Sequence, residues 1–395
     1  METSVSFIKP ARRIASFKPY FFAILNSKIA ELKKNNLDVI RLDMGSPDLP
    51  PADFIIKTLE KSANRLDTHG YTPMGGTLAY RQAIATYYHN RFQVELNPEK
   101  EVLGLIGSKE GLFNLHQVLL NPGDVSLVPD PGYPVYTSGA IVTGAEVYLL
   151  PLLKENKFLP DLASIPEPIV KRARLMWLNY PNNPTGATAS LEFFAQVVEF
   201  GRKNNIVIAH DAPYVDICFD GYKAPSLMQV PGAKDVAIEF NSLSKAYNMG
   251  GWRLGMAVGN PQVINYLFTF KTQMDSSQFG PILDAGVAAL TGDQSWLEER
   301  NDIYLYRRDI VLSGLRKAGF IADTPPAAIY VWARLPPQGY NDSIDFCTRL
   351  LEETGVSTTP GIVFGQYGEG YLRISLGIQT DRIKEAMDRI VNWLK

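Results

Sequence analysis

Between residues 101 and 259 the chain alternates short apolar runs with stretches of helical length, and this alternation restricts the fold more than any other feature. The runs are EVLGLIG (101–107), DVSLVPD (124–130), EVYLLPL (146–152), ARLMWLNY (173–180), NIVIAHD (205–211), DVAIEF (235–240) and LGMAVG (254–259). They are too short for buried helices and rich in β-branched residues, which suits strands. Helical patterns at 110–120 and 191–204 fill two of the gaps. Apolar strands joined by helical crossovers predict an α/β fold, with a mainly parallel sheet sandwiched by helices.

The flanks read differently. Residues 13–35 have a helical pattern, followed by a short strand, VIRLDMG, that runs into the turn-rich SPDLPP. Helices are expected over 53–65 and 77–92, the second placing Leu78, Ile84 and Tyr88 at helical spacing for burial. Helices dominate again over 281–317, and the remainder (AAIYVWARL, a helix, YLRISLG, a helix) reads as a smaller α+β unit. The expected division is an N-terminal segment over 1–45 packing on the small domain, a large domain over 46–287 and a small one over 288–395.

Charge excludes one broad class. The 39 basic residues balance 41 acidic ones, so no basic excess is present to grip a phosphate backbone, and no nucleic-acid partner is expected. Cys218 and Cys347 cannot form a disulfide framework and read as buried thiols. The apolar run Tyr20–Leu25 is far too short to span a bilayer, and no secretory signal is evident, so a cytoplasmic protein without membrane contact is expected. His69, His89, His116 and His210 show no metal-ligand spacing, and no metal site is expected.

In a sheet of this kind ligands bind at the carboxyl ends of the strands. Gly107-Ser108-Lys109-Glu110-Gly111 follows LGLI and opens a helix, which makes a phosphate cradle or a simple turn with Ser108 as N-cap. Asn183-Pro184-Thr185-Gly186 follows LMWLNYPN, where Asn183 can aim its amide at a ligand or merely shape a turn. Asp211-Ala212-Pro213-Tyr214 ends the apolar IVIAH, and a carboxylate there needs a cationic or donor partner or a capping role. The string SLSKAYNMGGWRLG (242–255) is far more specific. Its hydroxyls and Arg253 suit a phosphate, and a desolvated Lys245 would lose proton affinity and become a usable amine nucleophile.

These residues resemble the class I/II, fold-type-I pyridoxal-phosphate aminotransferases. SLSKAYNMGGWRLG matches the family's cofactor-lysine signature, and NPTG, the Asp211/Tyr214 pair and YLRISLG follow in the family's order, so the likeness runs from Asp43 to Arg373. The resemblance implies that Lys245 bonds to the aldehyde of pyridoxal 5′-phosphate and that Asp211 pairs with the pyridine nitrogen, keeping the ring an electron sink. Tyr214 and Asn183 would reach the phenolic oxygen. Ser242, Ser244, Arg253 and the Ser108–Lys109 backbone would hold the phosphate. Tyr133, in DPGYPVY, would stack on the ring, which is worth about 0.5–1.5 kcal/mol beyond burial. Tyr71, in HGYTPMGG, matches the tyrosine that family dimers lend to the partner's phosphate, so a homodimer with interfacial sites is implied. Arg373 and Asn183 would bind the substrate's α-carboxylate, with Gly45 close by. VLGLIGSKEG and LNPGDVSLVPDPGYPVY look most like the LL-diaminopimelate aminotransferase group, whose close bacterial relatives act on alanine, succinyl-diaminopimelate and other amino acids. Tyr20 resembles a substrate-contacting tyrosine of that group. The MDSSQFG stretch (274–280) lacks an asparagine of its better-defined members. The same fold and lysine also serve lyases and decarboxylases, which differ in the bond aligned over the ring. DNA-binding regulators that carry this fold have an N-terminal helix-turn-helix, for which about 40 preceding residues leave no room.

Overall fold

The computed structural model describes residues 9–17, 21–337 and 342–395. Its strands are β1 (Ile40–Arg41), β2 (Val102–Ile106), β3 (Val125–Asp130), β4 (Glu146–Pro151), β5 (Ala173–Asn179), β6 (Val207–Asp211), β7 (Ala237–Ser242), β8 (Leu254–Gly259), β9 (Ile321–Ala322), β10 (Tyr330–Arg334), β11 (Val356–Ser357), β12 (Thr359–Pro360) and β13 (Tyr371–Ser375). All seven apolar runs become strands of one sheet, in the order β2-β8-β7-β6-β5-β3-β4. Strands β3 to β7 pair in parallel, while β8 runs antiparallel to both its neighbours.

Both faces of this sheet are covered, which is why its strands are apolar almost throughout. Leu105, Trp177, Ala209 and Phe240 face the helices Ser108–Leu119 and Val135–Thr143 through Leu112, Leu115 and Tyr136. Met176, Ile208 and Met256 face the helices Leu78–Phe92, Leu191–Asn204 and Gly280–Thr291 through Ile84, Phe194 and Leu283. Ile84 and Tyr88 are buried as expected, but Leu78 stays exposed in the first turn.

A second core forms around the antiparallel sheet β12-β13-β10-β9 and the parallel pair β1-β11. The N-terminal segment joins it: β1 pairs with β11, and the Ser375 amide donates to the Leu42 carbonyl at 2.8 Å. Residue 287, the expected domain boundary, falls inside the helix Gly280–Thr291, whose Leu283, Ala285, Ala289 and Leu290 all pack in the large-sheet core. The next helix, Trp296–Lys317, spans both cores, packing Leu297 against the first and Tyr304, Val311 and Leu315 in the second. Cys347 is buried, whereas Cys218 is only half-buried, packed against the large-sheet core from outside it.

Candidate active site

The strands of the large sheet end on the residues that carry chemistry. β5 stops at Asn179, β6 at Asp211 and β7 at Ser242, and the turn after β2 opens a helix at Ser108. These ends face a cavity of about 430 Å³. It is lined by Gly45, Ser108, Lys109, Tyr133, Asn183, Asp211, Tyr214, Ser242, Ser244, Lys245, Arg253 and Arg373. Gly45 follows β1 and Arg373 lies in β13, so the cavity sits where the two cores meet. Tyr20 lies outside the described residues. Tyr71 does not line the cavity; its side chain is 95% exposed.

Lys245 rides on the single helical turn Leu243–Ala246, whose first turn is capped by the Ser242 hydroxyl accepting from the Ser244 amide at 3.2 Å. Its Nζ donates to the Gly45 carbonyl. That approach leaves no space for a side chain at 45, where a Cβ would lie 2.3 Å from the Tyr330 hydroxyl. Burial pushes the Lys245 ammonium below its ordinary value, and Arg373 and Arg253 push the same way against Tyr330 and Asp211. The lysine is thereby biased toward the neutral amine that a nucleophile or base requires.

Asp211 is 4% exposed, and its two oxygens differ. Oδ2 accepts from the Tyr136 hydroxyl at 2.7 Å, while Oδ1 is buried with no hydrogen-bond partner. Burial raises the carboxyl to about 6; the bond from Tyr136 opposes this, and so do His210 and Lys245. An unpaired buried carboxylate oxygen costs free energy that a cationic N–H would recover. His210 packs in the strand behind it, held by Glu239 Oε2 at 2.8 Å and the Tyr180 carbonyl at 3.0 Å.

Arg373 forms the opposite wall and is 3% exposed. It donates to Asn183 Oδ1 at 2.7 Å and to the Asp43 carbonyl at 2.9 Å. Its guanidinium carbon lies 4.2 Å from the Tyr330 ring centre and 4.7 Å from that of Phe364. With Asn183 Oδ1 committed to Arg373, the amide nitrogen of Asn183 is left to donate elsewhere. Tyr214 exchanges a 2.9 Å hydroxyl–hydroxyl bond with Tyr330, and burial drives its phenol well above the ordinary value.

The fourth element is an anion cradle. Gly107 is the N-cap of the helix Ser108–Leu119, so Ser108 is its first residue and not the cap. Gly107 has φ +72°, and a Cβ there would lie 2.2 Å from Arg253 Nη2. Arg253 itself adopts a left-handed φ of 59° and is steadied by its bond to the Gly250 carbonyl at 2.8 Å. A helix N-terminus, Ser242, Ser244 and a guanidinium thus surround one small volume, an arrangement suited to a phosphate.

Several lining residues carried no signal in the sequence. Tyr330 reads as a core residue of YVWAR, yet its hydroxyl meets Tyr214. Arg41 pairs with both oxygens of the buried Asp43 at 2.7 Å, and the Asp43 carbonyl holds Arg373. A charged pair two residues apart beside the strand VIRLDMG was the one available hint.

The sequence pattern of the aminotransferase class I and II family matches residues 37–390. The LL-diaminopimelate aminotransferase of Moorella thermoacetica is 48% identical over 383 residues, covering 97% of this chain and 98% of that protein. The enzyme of the same name from Aquifex aeolicus is 46% identical over 380 residues, covering 96% and 98%. Among solved structures, substrate-bound BacF from Bacillus subtilis superposes with a TM-score of 0.93 at 37% identity, covering 98% of both chains. Thermus thermophilus aspartate aminotransferase with maleate superposes with a TM-score of 0.90 at 27% identity, covering 98% and 99%.

The chain belongs to the class I and II aminotransferases. It is a pyridoxal 5′-phosphate-dependent enzyme of that class, and its open alternatives, a lyase or a decarboxylase, give way to amino-group transfer. The residues fit the cofactor: Asp211 Oδ1 has no protein partner, Lys245 is a buried amine, and the cradle at Gly107 is shaped for an anion. Among the described residues no helix is long and apolar enough to cross a membrane, and no group of His, Cys, Asp or Glu is placed to hold a metal.

Proposed function

We propose that this aminotransferase takes LL-diaminopimelate as amino donor and 2-oxoglutarate as acceptor. The observation that carries this reading is the near end-to-end identity of 48% with an enzyme named for that donor. The bound cofactor supplies an aldehyde for the substrate amine and a ring that accepts electrons as the α-proton leaves. Asp211 Oδ1 takes the pyridine N–H and keeps that nitrogen protonated. Tyr214 and the Asn183 amide donate to the phenolic oxygen, and Tyr133 covers the ring. Ser242, Ser244, Arg253 and the amides of Ser108 and Lys109 hold the phosphate. Arg373 would grip the α-carboxylate, with Gly45 and Asn183 beside it, and so would fix the orientation in which the amino acid is held. Lys245, as a buried amine biased toward its neutral form, would take the proton from the substrate's α-carbon.

The working unit in this reading is a cytoplasmic homodimer. Tyr71 and Leu66 are 95% and 97% exposed, and Phe268, Met274 and Phe279 are exposed as well. These exposed large side chains support a surface that another chain covers, and Tyr71 would then reach the partner's phosphate. The change between large and small domains is best set in the 292–295 link, between the helices Gly280–Thr291 and Trp296–Lys317. Single-turnover spectra against LL-diaminopimelate, glutamate, alanine, methionine and aromatic amino acids test the substrate. LL-diaminopimelate should react with the highest rate constant per concentration. A tenfold preference for any other amino acid overturns the assignment.

A further inference from the structure

A buried arginine outside the cavity bears on how the lysine is held. The turn Leu243–Ala246 is one turn long, and its last carbonyls have no backbone donor downstream: Tyr247 and Met249 both return their amides to Leu243, at 3.1 and 3.2 Å. Arg300, 3% exposed in the first turns of the helix Trp296–Lys317, supplies the missing donor. Its Nη1 donates to the Ala246 carbonyl and approaches the Lys245 carbonyl at 3.5 Å. Its Nη2 donates at 2.8 Å to the carbonyl of Asp216, in the loop that follows Asp211 at the end of β6 and carries Tyr214. Asn301 doubles this contact, donating to the Asp216 carbonyl at 3.0 Å and accepting from Arg300 at 2.8 Å.

No carboxylate is hydrogen-bonded to Arg300 among the described residues, and its Nε is buried without a partner. Burying a guanidinium against neutral carbonyls is a poor route to stability. What it accomplishes is geometric: one planar group fixes the end of the Lys245 turn relative to the Asp211 loop. A displacement of about 1 Å at a reacting group can lower a rate 100-fold.

We infer that Arg300 is a positioning residue, whose guanidinium bridges the Lys245 turn and the loop that follows Asp211 and so sets the lysine against the Asp211 carboxylate. The inference concerns the lysine and holds whichever amino acid is the substrate. It adds a physical link as well: the same helix carries Tyr304, Val311 and Leu315 in the second core, so that core and the lysine turn share a rigid element.

The test uses cofactor-loaded Arg300→Met and Arg300→Lys, with Arg308→Met as control. Arg308 is equally buried in the same helix, but it serves Asp220 and the Pro325 carbonyl. Arg300→Met should lower kcat about 30-fold with KM within about twofold, because lysine placement acts on the chemical step. The midpoint of the pH titration of the lysine-bound cofactor's visible band should shift by about 0.5 or more, since the lysine moves relative to Arg373, Arg253 and Asp211, whose charges act on its proton affinity. Arg300→Lys, which can serve one carbonyl but not bridge two, should fall between wild type and Arg300→Met in both readouts. Arg308→Met should lower the melting temperature yet leave kcat and the midpoint in place. An unmoved midpoint with kcat within threefold of wild type overturns the role. So does an Arg308→Met variant that reproduces the Arg300→Met changes. If Arg300→Met does not fold, Arg300→Lys decides by the same two readouts.

Discussion

Replacing Arg373 by alanine separates the two halves of the site. The guanidinium is buried between Tyr330 and Phe364, and its two terminal nitrogens already point at oxygen acceptors, Asn183 Oδ1 and the Asp43 carbonyl. A substrate carboxylate placed against it would gain paired charge-assisted bonds, worth roughly 1.5–3 kcal/mol each. Water entering the truncated site recovers part of that, so a net loss near the lower end, about 3 kcal/mol, is expected. At 1.4 kcal/mol per decade this weakens amino-acid binding roughly 150-fold. The cradle of Ser108, Ser242, Ser244 and Arg253 touches none of the Arg373 bonds, so the cofactor should stay bound through gel filtration. The assay is the visible spectrum of the loaded variant, titrated with amino acid in single turnover. Loss of the cofactor with the arginine, or a change in substrate affinity below about fivefold, would refute the carboxylate-clamp role. Arg373→Lys should recover only part of the affinity, since an ammonium cannot make the forked contact.

Three further outcomes check the remaining roles. Lys245→Ala should abolish the visible band of the lysine-bound cofactor and the activity with it; an undiminished band in that variant counts against the lysine assignment. The Asp211 carboxyl sits at about 6 in the folded cofactor-free protein against an ordinary 3.8, so between these values the unfolded chain releases its proton first, and stability falls as pH rises through that window and stays reduced above it. The gap corresponds to roughly 3 kcal/mol, so cofactor-free Asp211→Asn should be the more stable protein at pH 7.5 and should lose that advantage near pH 4, as read by urea unfolding; parallel pH profiles would contradict the buried, unpaired state. Subunits of Tyr71→Ala and Lys245→Ala, mixed and allowed to exchange, should recover up to about a quarter of wild-type activity, because one site of each hybrid is intact. No recovery in verified hybrids would exclude a tyrosine donated across the dimer.

The large sheet was legible because its seven strands are apolar on both faces, so burial leaves the same mark on each residue of a run. The motif residues were legible for a related reason: each stands at a strand end, where Asn179, Asp211 and Ser242 break the apolar pattern. The domain boundary was not, since the apolar Gly280–Thr291 and the charge-rich Trp296–Lys317 are joined by only the short 292–295 link, and which core each packs against is not written in either helix alone. Tyr330, Arg41 and Arg300 escaped for a further reason. Their roles depend on atoms 54 or more positions away: Arg300 on Ala246 and Asp216, Tyr330 on Tyr214, and Arg41 on the approach of Asp43 to Arg373.

The residues that announce the function are also those that cost the empty protein stability. Asp211 holds a dry oxygen without a donor, Lys245 is a desolvated amine pressed between cations, and Arg373 keeps a buried Nε unpaired. None of these would be chosen for a stable core, where an apolar side chain of similar volume packs at lower cost. In the proposed reading each would be complemented by one part of the same ligand set: a pyridinium N–H, an aldehyde carbon and a carboxylate. Loading should therefore stabilise the fold by more than contact area alone implies, because it removes penalties already present. In its inferred role, Arg300 follows the same logic from outside the cavity, as a buried charge held on the carbonyls of Ala246 and Asp216.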